Sequence, residues 1–201
     1  MGYLYLVALL VQLLVFGYLC AFYLATIVET ASGEDALPSL WLTDAVSDLL
    51  LPGLRFIGSW LWVLLPALAV MAKATIQGDP VPWPAVRVAA VAGLFFWPVV
   101  VLGVAIGGSF RGLWPHLVVR TALSAPVPYL AVCLTLLVAA GLTFLPRVEP
   151  FCSWLALLQT RAVLAVGLLN SALGAYAMIL AMRVIGLFYR HYKGRFPWVA
   201  E

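Results

Sequence analysis

The sequence predicts an all-α fold, a polytopic transmembrane helical bundle of about five spans with one short interfacial helix. Of the 201 residues, 65% are hydrophobic and only 9% are charged, whereas an ordinary soluble domain is roughly 25% charged. The apolar residues lie in continuous runs of about 20, the length of a membrane-spanning helix, and lack the alternation of a membrane β-barrel. Because 11 basic and 8 acidic side chains cannot cover a soluble globule of this size, the bilayer is the expected solvent.

Charged residues mark the limits of the five predicted spans. The first run is uncharged up to Glu29, and the second lies between Arg55 and Lys73. The predicted spans are residues 3–28, 56–72, 88–110, 121–145 and 162–182. Together with an interfacial helix at about 42–51 and a basic tail at 183–201, these spans are expected to form a single integral membrane domain over residues 1–201.

Four prolines lie within the second, third and fourth spans. At Pro66 and Pro98 we expect a kink and not a break, because neighbouring helices in a membrane can satisfy the freed carbonyl groups. Pro126 and Pro128 lie in the first turns of the fourth span. We therefore expect the regular helix of that span to begin only near Tyr129.

The Lys and Arg residues predict the orientation. Five spans place the two termini on opposite sides, and the side with more basic residues should be cytoplasmic. One side carries four basic residues, which are Lys73, Arg87, Arg147 and Arg161. The other side carries seven, which are Arg55, Arg111, Arg120, Arg183, Arg190, Lys193 and Arg195. We therefore expect the C-terminus to be cytoplasmic and the N-terminus to lie outside.

The connection after the first span contains a short motif. Residues 25–38 read Ala-Thr-Ile-Val-Glu-Thr-Ala-Ser-Gly-Glu-Asp-Ala-Leu-Pro, and Trp41 follows. This stretch resembles an uncharacterised prokaryotic family of polytopic membrane proteins, in which a Gly-Glu-Asp-x-Leu-Pro connection follows a transmembrane helix. The resemblance covers residues 18–63 and implies a protein of the bacterial inner (plasma) membrane. The family has no established activity, so the resemblance implies none for this chain. Family members often have a further helix before this first span.

Acidic residues are concentrated between the first two spans. Five of the eight acids lie there, namely Glu29, Glu34, Asp35, Asp44 and Asp48. Asp44 and Asp48 are four residues apart and would share one face of a helix. We interpret this as the solvated face of a helix lying on the membrane surface. The alternative is a cation site, since divalent ions prefer carboxylate oxygens, but no known ligand spacing is present.

Among the polar side chains inside the predicted spans, three are candidates for helix packing or for a solute path. Asn170 and Ser171 lie near the centre of the fifth span, and Gln12 lies in the first. An amide in the middle of a membrane is costly unless it finds a partner, so we expect helix packing, with Gln12 as a candidate partner of Asn170. The alternative is a path for a solute or an ion. Gly103 and Gly107 in the third span form a GxxxG pair, which also indicates packing.

The C-terminal segment is basic and aromatic. Arg183, Arg190, Lys193 and Arg195 are expected to contact anionic lipid headgroups. Nucleic acid is not an expected partner, because such a short tail beside a membrane offers few phosphate contacts.

No pattern of residues indicates catalysis. His116 and His191 are 75 residues apart, and neither a nucleotide-binding nor a zinc-protease motif is present. We expect no catalytic residue, no cofactor and no metal. The sequence therefore predicts a structural or interaction component of a membrane, with lipids and another membrane protein or a second copy as partners. The alternative is a transporter or channel subunit for a small solute or an ion.

Overall fold

The structure, a computed structural model, describes residues 2–34, 36–38, 47–108, 114–144 and 160–196. This part of the chain is all-α and contains no strand, which confirms the predicted fold class. Its six helices are α1 (Gly2–Ser32), α2 (Ser47–Gln77), α3 (Trp83–Gly107), α4 (Pro115–Ser124), α5 (Pro126–Phe144) and α6 (Thr160–Tyr192). A 3-10 turn, Lys193–Arg195, follows α6.

Every helix except α4 is long and apolar enough to cross a membrane, which makes five candidate spans in the described chain. They cover Tyr5–Ser32, Leu50–Gln77, Trp83–Gly107, Pro126–Thr143 and Ala165–Arg195. A helix satisfies its backbone hydrogen bonds internally, which is what a segment needs in hydrocarbon. The length and composition of these helices therefore indicate a multi-pass integral membrane protein.

Glycines in the left-handed conformation end three of the helices. Gly33 follows α1 with φ of 105°, Gly78 follows α2 with φ of 72°, and Gly108 follows α3 with φ of 61°. Residues with a Cβ rarely adopt such angles. After α1, the N–H groups of Gly33 and Glu34 donate to the Glu29 carbonyl at 3.1 and 2.9 Å, which satisfies a carbonyl that the helix itself leaves free.

Helix α3 lies at the centre of the bundle, because it contacts each of the other five described helices. Within residues 99–104 every side chain from Val99 to Leu102, and that of Val104, is at most 3% exposed. The remaining helices form a chain of neighbours around it, in which α2 packs on α1, α1 on α6 and α6 on α5.

Helices α2 and α3 run antiparallel, and two pairs of residues fix their register. The Trp97 indole Nε1 donates to the Ser59 hydroxyl at 3.1 Å. One turn further along, Gly93 faces Val63 so closely that a Cβ on Gly93 would lie 1.9 Å from the Val63 carbonyl oxygen. The absence of a side chain at Gly93 therefore sets the spacing of these two helices.

Helix α6 approaches its two neighbours through glycines as well. A Cβ on Gly186 would lie 2.7 Å from the Thr30 Cβ of the parallel helix α1. A Cβ on Gly174 would lie 2.9 Å from the Thr143 hydroxyl oxygen of the antiparallel helix α5. Small residues allow helix backbones to approach closely in this way.

Helices α2 and α3 continue through Pro66 and Pro98, as the sequence predicts. Near the second proline, the Tyr129 hydroxyl of α5 donates a hydrogen bond to the Phe95 carbonyl, three residues before Pro98. Pro98 has no N–H group for the carbonyl of Leu94, four residues before it. The Tyr129 hydroxyl bonds the next carbonyl of the same turn, so a neighbouring helix contacts the backbone where the proline disturbs it.

The predicted fourth span, residues 121–145, needs correction. Helix α4 ends at Ser124, Ala125 has φ of −147°, and α5 begins at Pro126. The ring of a proline disfavours helical backbone angles at the preceding residue, and Ala125 has left them. Residues 121–124 therefore belong to a separate short helix, and the helix of the span is regular from Pro126 and not only from Tyr129.

The predicted interfacial helix at 42–51 also needs correction. Residues 47–51 form the start of α2, which continues through Pro52 into the second span. Residues 42–46 lie outside the described part of the chain. A proline removes only one donor from a membrane helix, so Pro52 does not separate the two segments. The third helix also starts earlier than predicted, at Trp83, and the last continues to Tyr192.

Candidate functional site

Gln12 lies on a stretch of α1 whose side chains are all exposed. Every side chain in residues 5–16 is exposed, from Tyr5 at 77% to Phe16 at 41%. The second half of the same helix is packed, and Ile27 is completely buried. The Gln12 amide has no hydrogen bond within the described chain. This amide therefore stands on the outside of an apolar helix without an internal partner.

Asn170 and Ser171 lie on α6, in its first half. Asn170 is half-buried and its amide makes no hydrogen bond with any described residue. Ser171 is exposed, and its hydroxyl donates to the Gly167 carbonyl at 2.9 Å within the same helix. No hydrogen bond joins Asn170 to Gln12 in the described chain. The pairing of these two amides that we expected from the sequence is therefore absent from the described residues.

The acidic segment is only partly described. Glu34 is exposed just after α1, and residue Asp48 belongs to the first turn of α2. Asp35 and Asp44 fall outside the described residues. Among the residues that are described, no group of three His, Cys, Asp or Glu side chains could hold a metal ion.

The basic tail packs back onto the bundle. The Arg190 guanidinium lies over Gly33, with its Cζ 3.5 Å from where a Cβ on that glycine would be. A cation at this place faces the carbonyl end of α1, which carries a partial negative charge. Beyond the helix, the Arg195 guanidinium lies 5.6 Å from the Tyr192 ring centre, and Phe196 is 1% exposed.

The four residues predicted to contact lipid headgroups therefore differ in exposure. Arg183 is half-buried within α6 and has interactions of its own. Arg190, Lys193 and Arg195 are exposed, with their charges on the end of the bundle where α1, α3 and α6 finish. Arg55 belongs to the same end, because its guanidinium lies 3.9 Å from where a Cβ on Gly108 would be.

Buried polar side chains serve helix packing. Ser59 donates to the Phe56 carbonyl at 2.6 Å and accepts the hydrogen bond from Trp97. Thr26 donates to Phe22 within α1 at 2.8 Å. In the described chain, no buried side-chain nitrogen or oxygen lacks a hydrogen-bond partner. Such closed pairs stabilise helix contacts but offer no free group to a ligand.

Two cavities open on the surface of the described bundle, and both are apolar. The larger, about 630 Å³, lies between α2, α3 and α4, and the smaller, about 510 Å³, lies beside it on α3. Neither includes Gln12, Asn170 or Ser171 in its lining. Neither of these two cavities therefore provides a polar path at the residues considered for a solute.

The remaining reactive side chains are those of two cysteines and two histidines. Cys20 is buried and Cys133 half-buried, and both are free thiols. His191 bonds the Leu187 carbonyl at 2.9 Å through Nδ1, and His116 lies beside the Trp114 ring at 6.3 Å between ring centres. The Cys133 thiol makes a side-chain hydrogen bond with Tyr129. None of the four side chains is paired with a carboxylate or an imidazole in the described chain, and such a base is what nucleophilic catalysis needs.

The contacts that hold the bundle together could not be predicted from the sequence. The approach of Gly93 to Val63 and the bond from Trp97 to Ser59 were not predicted, because neither pair has a spacing that one sequence can reveal. The available signal was weak: a glycine and a serine inside apolar spans, which favour close helix contacts in membranes.

The chain matches no family model, and no curated protein or solved structure is significantly similar to it. The resemblance to an uncharacterised prokaryotic membrane family therefore stays a prediction.

Proposed function

We propose that this protein is a structural or interaction component of a membrane, with no chemistry of its own, and that the exposed first half of α1 is its contact surface. The observation that carries the proposal is Gln12, an amide on the exposed first half of an apolar helix without a hydrogen bond in the described chain. Another membrane helix, from a partner protein or from a second copy, would supply the missing partner.

The physical reason is the high cost of an unpaired polar group in hydrocarbon. Transfer of an amide from water to an apolar medium without a hydrogen bond costs about 2–7 kcal/mol. A hydrogen bond between helices in a membrane recovers roughly 0.6–2 kcal/mol of this. The amide has both a donor and an acceptor, so it can pair with a polar side chain of either kind.

The shape of α1 supports such a role. Its second half is held in the bundle by buried side chains such as Cys20, Leu24 and Ile27. The first half continues the same uninterrupted helix, so its surface is presented by a rigid element. Asn170 on α6 is a second amide without a described partner and offers a further contact point.

The alternative, a transporter or channel subunit, is not favoured. A path for a polar solute needs polar groups along a cavity, whereas the two cavities described above are lined by apolar side chains except for Arg87 at one end. The Ser171 hydroxyl, which the alternative requires, is engaged with the Gly167 carbonyl.

We also propose that the membrane is a bacterial inner (plasma) membrane and that the C-terminus is cytoplasmic. Support comes from the seven basic residues on the C-terminal side against four on the other, which is the asymmetry of the positive-inside rule.

The experiment is a double substitution, Gln12→Leu with Asn170→Leu, in the full chain. Membranes are solubilised as polymer-bounded discs, and the mass of the particles is measured by mass photometry. We expect the wild type to occur in a particle larger than a monomer of 21.8 kDa and the double variant to shift to the monomer, because the paired amides are lost.

The matched control is Leu13→Ala, an exposed neighbour that carries no hydrogen-bonding group. Its assembly should equal that of the wild type. Purified wild type in liposomes should give no solute or ion flux above that of empty liposomes. Two results together would contradict the proposal and support the transporter alternative. The first is intact assembly of the double variant, and the second is a flux in the wild type that Asn170→Leu abolishes.

A further inference from the structure

Two apolar grooves lie side by side along α3. The larger is bounded by Pro66 of α2, by Trp114 just before α4 and by Val118 of α4. The smaller extends along α3 towards the start of that helix. Ala92 and Phe96 line both grooves and so form their common wall. The two grooves are therefore adjacent parts of one continuous surface.

The chemistry of this surface is uniform except at one end. Every side chain that lines the two grooves is apolar or aromatic apart from Arg87, which lies at the end of the smaller groove. Apolar channels that open sideways from a helix bundle fit hydrocarbon chains and offer nothing to a polar solute.

Arg87 is placed to bind an anion. It is exposed, and it makes no ion pair in the described chain. It lies at the fifth residue of α3, near the helix end that carries a partial positive charge and favours anions. Asp79 and Lys73 are exposed at the same end of the bundle. Asp79 forms no ion pair with Arg87, so the guanidinium stays available.

The distances match one leaflet of a bilayer. Arg87 and Phe96 are nine residues apart on α3, which is about 13.5 Å along a helix. Half of a hydrocarbon core is about 15 Å. A headgroup at Arg87 would therefore place the ends of its acyl chains near the middle of the membrane, beside Phe96 and the larger groove.

We propose that these grooves are a binding site for one anionic phospholipid. Its phosphate contacts Arg87, and its two acyl chains lie on either side of the wall formed by Ala92 and Phe96. The lipid matches both features of the surface, since it joins a negative charge to two hydrocarbon chains. This site is separate from the contact surface on α1 and does not depend on the proposed function.

The test is native mass spectrometry of the full-length protein, with phosphatidylglycerol and phosphatidylcholine of identical acyl chains as probes. We expect the wild type to bind one phosphatidylglycerol more tightly than phosphatidylcholine. Arg87→Gln should weaken phosphatidylglycerol binding about fivefold, the effect of one basic residue near a membrane surface. The control Arg195→Gln removes an exposed charge at the other end of the bundle and should leave this binding unchanged.

A second pair of variants tests the grooves. Ala92→Trp places a large side chain on their common wall and should abolish the tightly bound lipid, whereas Ala131→Trp, at an exposed alanine of α5, should not. Both alanines are exposed, so both variants should fold, which far-UV circular dichroism checks. Equal binding of the two lipids, displacement of the lipid by inorganic phosphate, or retention of the lipid in Ala92→Trp would overturn the proposal.

Discussion

Residues 99–104 of α3 and residues 5–16 of α1 are both apolar stretches of helix, yet their surroundings are opposite. In α3 the large side chains of this stretch are at most 3% exposed. In α1 the large hydrophobic side chains are each at least 41% exposed. The difference shows that apolarity does not decide which helix surface becomes buried in this molecule.

The decisive difference is in the residue types that bring membrane helices together. Lipid tails are as apolar as leucine, so close packing and hydrogen bonds drive helix contacts in a bilayer. The centre of the bundle has both, through Gly93 against Val63 and Trp97 against Ser59. Residues 5–16 of α1 contain no glycine, and their one polar side chain is Gln12.

The largest expected effect comes from closing the space at Gly93. In Gly93→Ala the new Cβ would lie 1.9 Å from the Val63 carbonyl oxygen, and backbone atoms cannot move aside as a side-chain end can. We expect the free energy of unfolding to fall by about 3 kcal/mol, the upper part of the usual range for overpacking. Thermal unfolding in detergent, followed by circular dichroism, measures the loss.

Gly141→Ala is the matched control for this change. Gly141 lies inside α5, and a Cβ there would meet nothing within 4 Å. Alanine favours a helix over glycine by about 1 kcal/mol, so this variant should be as stable as the wild type or more so. Equal stability of Gly93→Ala and Gly141→Ala would show that the α2–α3 contact is looser than the structure has it.

The number of membrane-spanning helices could be predicted from the sequence, but the short helix α4 and the contacts between helices could not. Hydropathy and length determine that five helices are able to span a membrane, and the structure confirms this. Spacing was a poor guide to partners: the GxxxG pair pointed to Gly107, which meets open space, while Gly93 makes the close approach. A sequence pattern identifies a face of a helix, but the neighbour of that face depends on the whole bundle.

The limits of helices were predictable only where one residue type decides them. Gly33 ends α1 because its φ of 105° suits glycine. The break at Ala125 depends on Pro126, whereas the sequence predicts a single span from residue 121 with regular helix only from near Tyr129, because apolar sequence runs on both sides of the break. Whether Gln12 and Asn170 pair with each other could not be predicted, since one sequence does not reveal which side chains of two helices form a hydrogen bond.

A second, smaller effect compares two large residues of the same helix. Ile27 is completely buried in α1 and Leu10 is 52% exposed. Ile27→Ala removes packed atoms and leaves a cavity, so we expect a loss of about 2 kcal/mol in the free energy of unfolding. Leu10→Ala should change it by less than about 0.5 kcal/mol, as for other surface sites. Unfolding in mixed micelles gives both values. A loss for Leu10→Ala as large as for Ile27→Ala would mean that the first half of α1 is already packed in the isolated protein.

The smallest expected effect concerns the hydrogen bond from Trp97 to Ser59. Ser59→Ala leaves the buried Trp97 Nε1 without its acceptor, which should cost about 1 kcal/mol. Ser171→Ala is the control, because that exposed hydroxyl bonds only to Gly167 of its own helix and should be neutral. In the double variant Ser59→Ala with Trp97→Phe, the substitutions should cost less together than the sum of their separate losses, since no donor is left unpaired. Strict additivity in this cycle, measured by unfolding in mixed micelles, would show that the bond contributes nothing to the α2–α3 contact and that Gly93 alone fixes it.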